Sequence, residues 1–72
     1  MLINAELGTE ESLAADLKKI RNVDEVYIVY GVYDIVVKIV SDSLDKVKQT
    51  ITSQLRRSEK VRSTLTMIVI EA

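Results

Sequence analysis

The apolar residues of this chain change their spacing along its length, and that change restricts the folds open to it. In "MLINAEL" the side chains alternate. Leu2, Asn4 and Glu6 fall on one face of a strand, and Ile3, Ala5 and Leu7 on the other. Gly8 ends the segment. Thr9 stands as a helix N-cap, and Glu10 and Glu11 suit the positive start of a helix. Leu13, Leu17 and Ile20 then recur at helical spacing. Lys18, Lys19 and Arg21 fall in the last turn, where cations are favoured. "DEVYIVYGVYDIVVKIV" returns to strand character and reads as a hairpin with Gly31 and Val32 as a two-residue loop. Glycine at the first of these positions is the type II′ pattern, which needs a positive φ. "SDSLDKVKQTITSQLRR" is helical again. Asp42 or Ser43 caps it, Leu44, Val47, Ile51 and Leu55 form an apolar stripe, and Arg56 and Arg57 close it. "VRSTLTMIVIEA" reads as a final strand.

The order strand, helix, strand, strand, helix, strand is the split βαβ pattern of the ferredoxin-like fold. The expected architecture is α+β (βαββαβ): a four-stranded antiparallel sheet with two helices on one face. Both helices share a face because crossovers joining parallel strands are right-handed. With 72 residues, the chain forms a single domain over positions 1–72.

Alternation sorts the sheet into two faces. Ile3, Ala5, Val26, Ile28, Ile35, Val37, Ile39, Leu65, Met67 and Val69 are assigned to the face under the helices. The other face holds Leu2, Asn4, Glu6, Tyr27, Val29, Asp34, Val36, Lys38, Val40, Arg62, Thr64, Thr66, Ile68 and Ile70. That second face is too apolar to lie in water as one patch. A domain this short buries only about 60% of its unfolded surface, yet 47% of its residues are hydrophobic. The expectation is a two-fold homodimer, sheet packed on sheet.

Composition removes several classes of chemistry. The chain has neither cysteine nor histidine, so it offers no thiolate, no imidazole base and no zinc or iron ligand set. Net charge is −1 with mixed signs, unlike the basic footprint of a nucleic-acid binder. No apolar run reaches the ~18 residues of a membrane span. The N-terminus lacks the basic start and apolar stretch of a signal peptide, so a cytoplasmic location is expected. No Gly-rich phosphate loop and no nucleophile–base pair is visible, so an enzyme is not expected and no cofactor is called for.

The candidate site centres on "VYGVYDIVVKI", Val29 to Ile39. Gly31 is what a tight hairpin demands. Asp34 admits two readings: a turn residue bonding backbone amides, or an acceptor for an ammonium group at a subunit boundary. Backbone N–H groups beside Gly31 are placed to take the carboxylate of the same ligand, so that the pair reads both charged ends of an amino acid. Thr64 and Thr66 in "RSTLT" are good strand residues and also suitable hydroxyl donors and acceptors on the face assigned to Asp34. Tyr27, Tyr30 and Tyr33 serve as packing groups with a wet end or as binding residues. The cations Arg56, Arg57, Lys60 and Arg62 read as a basic helix end answering the dipole, or as a phosphate site.

The run "VYGVYDIVVKI", a capped helix and then "VRSTLTMIVI" resembles the effector-binding (RAM) domain of the leucine-responsive regulator/AsnC family of transcription regulators. The family pattern is a small residue or glycine, two spacers and an aspartate, between one apolar strand and the next. Gly31 and Asp34 match it, and Thr64 and Thr66 match a second feature on the last strand. The resemblance spans essentially the whole chain. It implies a subunit that dimerises through its sheet as a dimeric α+β barrel, and dimers that close into rings of about four or five. It also implies small amino-acid effectors bound between dimers. Carried over by position, Asp34 holds the effector's ammonium group, Gly31 and its neighbours supply backbone contacts, and Thr64 and Thr66 complete the polar end. Tyr30 and Tyr33 stand near the effector's side chain.

Most family members carry a helix-turn-helix domain ahead of this one, whereas this chain starts with the first strand. The expectation is a stand-alone, non-catalytic amino-acid-sensing and oligomerisation module. It binds neither DNA nor membrane by itself and co-assembles with full-length regulators. Two other readings compete. One is a purely structural assembly module. The other is a small enzyme of the dimeric α+β barrel type, which needs polar or aromatic groups between sheet and helices where this chain has Val, Ile and Leu.

Overall fold

The structure, a computed structural model, describes residues 1–71. The elements are β1 (Leu2–Ala5), α1 (Glu10–Lys18), β2 (Val23–Ile28), β3 (Ile35–Ile39), α2 (Leu44–Thr50) and β4 (Val61–Leu65). Helix α2 runs on through a wider π-helical turn, Ile51–Leu55, closed by an Arg56 N–H bond to the Ile51 carbonyl at 3.0 Å. The four strands lie in the order β2-β3-β1-β4, and every neighbouring pair is antiparallel. This is the expected ferredoxin-like α+β arrangement.

One layer of apolar side chains holds the two helices to the sheet. Ile3, Ile35 and Val37 from the strands meet Leu13, Leu17 and Leu55 from the helical segments, and all six are fully buried. Ala5, Ala14 and Ile51 complete this core. Truncating one of the larger members to alanine costs roughly 2–5 kcal/mol, transfer and cavity terms together. The helix starts differ in chemistry. Ser43 Oγ caps α2 by accepting the Lys46 N–H at 3.2 Å. Thr9 instead donates its hydroxyl to the Glu6 carbonyl at 2.7 Å, so at α1 it stitches the preceding turn rather than capping the helix.

Three further expectations, all on the strands, need correction. First, the β2–β3 hairpin is wider than a two-residue loop. Val29 N–H bonds the Asp34 carbonyl at 2.8 Å, leaving Tyr30, Gly31, Val32 and Tyr33 in the loop. Gly31 still has a positive φ, +150°. Second, the last strand ends at Leu65, so Thr66 to Ile70 lie beyond it. Third, β4 presents the opposite alternation from that expected. Leu65 stands opposite Leu2, and Thr64 stands opposite the buried Ile3. Residues directly opposite in an antiparallel pair share a face. Thr64 therefore faces the helices and Leu65 the open side. Met67 and Val69, assigned to the core, are exposed, as is half of Ile28.

The inversion has a local cause. Asn4 pairs with Ser63 but Ala5 pairs with Val61, so Arg62 is an extra residue in β4. A β-bulge of this kind bends the strand and re-aims the inserted side chain.

Candidate functional site

The register of the strands builds the open face row by row. Tyr27 stands opposite Val36, Val36 opposite Leu2, and Leu2 opposite Leu65. One apolar row thus crosses all four strands. On one side of it Glu25 stands opposite Lys38, whose Nζ lies 3.7 Å from both the Asp24 and Glu25 carboxylates. Tyr27 donates its hydroxyl to Glu25 at 2.8 Å, and that bond raises the phenol's pKa above its ordinary 10.0. On the other side lies a polar row in which Asn4 Nδ2 donates to Ser63 Oγ at 3.2 Å.

This polar row opens into a cleft of about 450 Å³ at the end of the sheet, lined by Asn4, Ala5, Leu7, Glu10, Val32, Asp34, Arg62 and Ser63. Each wall has a structural origin. Asp34 is placed by the hairpin: its N–H bonds the Ile3 carbonyl at 3.0 Å, and its Oδ2 accepts the Ala5 N–H at 2.9 Å. The bulge delivers Arg62. The turn from Glu6 to Thr9, closed at 3.0 Å, carries Leu7 and Gly8, and Gly8 supplies the positive φ of +85° that the turn needs. Glu10, in the first turn of α1, accepts the Gly8 N–H at 3.3 Å. Among the described residues, Asp34, Glu10 and Arg62 form no ion pair with any other side chain.

Of the residues singled out from sequence, Asp34 lines this cleft and Val32 brings the hairpin loop to its rim. Tyr30 is fully exposed at the loop tip, with Gly31 and the half-buried Tyr33 beside it. Thr64 and Thr66 are not brought together with Asp34. Thr64 shares the helix-facing side with Ile3, and Thr66 lines a separate apolar groove with Val37, Val47 and Ile51. Arg62, Asn4, Ser63 and Glu10 also line the cleft, and the sequence pattern does not place them beside Asp34. In sequence Arg62 groups with the helix-end cations or a phosphate site, and Glu10 with the helix dipole. Neither the spacing nor the composition signals a bulge.

A larger groove, about 920 Å³, runs between the helices past Asp16, Lys19, Arg21, Asp42 and Lys46. Its two acids are already engaged: Asp42 with Lys46 at 3.0 Å, and Asp16 with Lys60 at 2.6 Å. Among the described residues no cluster of three His, Cys, Asp or Glu side chains suits a metal, and no helix is long and apolar enough to cross a membrane.

Fold and cleft define a ferredoxin-like α+β domain with a small polar cleft and, among the described residues, no nucleophile–base pair. Comparison with known proteins narrows the class. The family model for the Lrp/AsnC ligand binding domain matches residues 1–72, and this chain belongs to that family. The family is a regulatory ligand-binding domain of transcription regulators, not an enzyme family. The chain is similar to the crystal structure of FFRP-DM1, with a TM-score of 0.91 and 36% identity over 96% of this chain and 92% of that one. It is also similar to hypothetical protein PHS023 from Pyrococcus horikoshii, with a TM-score of 0.92 and 35% identity over 99% and 86% of the two chains. No curated protein sequence matches it.

Proposed function

We propose that this domain binds a small amino acid in the Asp34–Arg62 cleft and assembles with copies of itself through the open sheet face. The observation that carries the reading is the placement of two unpaired opposite charges in one cleft. Asp34 and Arg62 line it together without bonding each other. A zwitterion answers both. Its ammonium group meets the Asp34 carboxylate, and its carboxylate meets the Arg62 guanidinium, whose fork of donors suits a carboxylate. Asp34 has capacity for this, because Ala5 occupies only Oδ2 and no described residue donates to Oδ1. The Ala5 bond also holds the carboxylate in place, which lowers the ordering cost of binding. Tyr30, Gly31 and Tyr33 share the hairpin loop with Val32, which lines the cleft, and a neighbouring dimer would close the cleft from the side of that loop.

On this reading the domain works in the cytoplasm, in rings of dimers, beside full-length regulators of its family. The test is a thermal-shift screen of the standard amino acids. A ligand at 100 times its Kd adds about 2.7 kcal/mol to stability. Asp34→Asn keeps an acceptor for Ala5 but loses the charge, so it abolishes the shift in a folded protein. If no amino acid raises the melting temperature, amino-acid sensing is wrong.

A second reading is a purely structural assembly module. It is favoured by the same Asp34–Ala5 bond, which already gives the aspartate a role in holding the sheet. The screen separates the two readings.

A further inference from the structure

We infer that the cleft selects an amino acid with a long, positively charged side chain, and that Glu10 is the residue that selects it. This inference rests on the proposed amino-acid site and adds the class of its ligand. The argument starts from charge. Once a zwitterion has neutralised Asp34 and Arg62, one ionised group in the cleft is left over, the Glu10 carboxylate. A neutral side chain leaves that carboxylate without an ion pair, and an acidic side chain is repelled by it. Only a cationic side chain completes the balance.

Shape agrees with charge. Leu7 and Val32 line the same cleft and are 94% and 85% exposed, so both offer apolar surface to an occupant. Lysine and arginine side chains carry an aliphatic stem and a charged head. They cover apolar surface with the stem while the head reaches a polar partner. Such a stem lies along Leu7 and Val32, and its head reaches Glu10. A cleft of about 450 Å³ is of ligand size.

The α1 N-terminus by itself would favour an anion at this position. Glu10 reverses that preference. It is half-buried, and its bond to the Gly8 N–H sets it at the base of the turn that carries Leu7. Among the described residues no other acid lines the cleft apart from Asp34.

The experiment is calorimetric titration of the full chain with lysine, arginine, norleucine and glutamate. Norleucine has lysine's stem without its charge. Lysine and arginine should bind more tightly than norleucine by on the order of five-fold, the upper value for a solvent-exposed ion pair, and glutamate should bind weakest. In Glu10→Gln, which keeps an acceptor for Gly8, the lysine-to-norleucine affinity ratio should fall to near one. If norleucine binds as well as lysine, or the ratio survives Glu10→Gln, the selectivity claim is overturned while the amino-acid site stands. If none of the four binds, the selectivity claim is overturned, and the thermal-shift screen of the standard amino acids decides whether the site itself stands.

Discussion

The Asp34 carboxylate accepts the backbone N–H of Ala5 at 2.9 Å, a bond between side chain and main chain across neighbouring strands. It falls where strand β3 gives out. Asp34 N–H still reaches the Ile3 carbonyl at 3.0 Å, and then the hairpin loop leaves the sheet. The next donor on β1 would have no strand carbonyl to meet. Asp34 fills that gap with its side chain, so one residue both ends the ladder and faces the cleft.

That dual role predicts the behaviour of two substitutions. Asp34→Ala leaves the N–H of the buried Ala5 without its charged acceptor and should cost about 2 kcal/mol of stability. Asp34→Asn retains a neutral acceptor and should cost less, about 1 kcal/mol. Urea denaturation of the three proteins checks the order. An alanine variant as stable as the wild type would remove the structural role.

The element order, the helix-facing core of β1 and β3, and the placement of Asp34 were legible because each rests on local pattern. Asn4 and Glu6 mark the polar side of Ile3 and Ala5, Asp34 and Lys38 flank the Ile35–Val37 run, and Leu13, Leu17, Ile51 and Leu55 keep helical spacing. The faces of β4 were not legible. Alternation marks a buried face only when the opposite face is polar. Here Leu65 belongs to the apolar row of the open face, and Thr64 sits under the helices beside Ile3. A slip of one residue moves every side chain to the other face. The bulge at Arg62 supplies such a slip, and nothing in "VRSTL" announces it. The cleft was therefore half visible. Asp34 could be singled out, but the arginine that lines the cleft with it could not.

Gly31 provides a test of backbone strain alone. Its φ is +150°, and a Cβ built there meets no atom within 4 Å. Gly31→Ala should therefore lose stability through the backbone and not through a clash, by about 1–3 kcal/mol. Val32→Ala, at a neighbouring position that is 85% exposed, should change the melting temperature little. Equal melting temperatures for Gly31→Ala and wild type would argue that the loop relaxes to another shape.

The Asp16–Lys60 pair gives a pH dependence with a definite sign. The Lys60 hydrogen bond holds the Asp16 carboxyl below its ordinary 3.8. A carboxylate whose pKa falls on folding contributes stability that is complete above the unfolded-state value and is lost as pH drops through the lower folded value. Both side chains are partly exposed, so the contribution is small and weakened by salt. Asp16→Asn should be less stable than wild type at neutral pH. The gap should stay constant down to about pH 5 and close below the unfolded carboxylate value. Melting temperatures of both proteins across that range, at low salt, measure it. A gap that widens on acidification would contradict the assignment.

The row Tyr27, Val36, Leu2 and Leu65 predicts where assembly can be broken. Val36 is central in it, flanked by Tyr27 on one strand and Leu2 on the other. Tyr27 is 51% and Leu65 44% exposed, and Val36 and Leu2 are half-buried, so the row keeps apolar surface for a partner to cover. Burying a side chain of this size fully is worth roughly 1.5–3 kcal/mol, and a sheet-on-sheet interface buries several on each subunit. A lysine at position 36 would put a charge into that contact with no acid directly opposite. It would leave untouched the core formed by Ile3, Ile35 and Val37 on the other face. Val36→Lys should therefore behave as a folded monomer in sedimentation and light scattering at micromolar concentration, with unchanged far-UV dichroism, where the wild type is at least dimeric. Lys38→Ala, which removes only the exposed pairs with Asp24 and Glu25, should remain assembled. A monomeric wild type, or a Val36→Lys variant that stays assembled, would rule out this row as the contact.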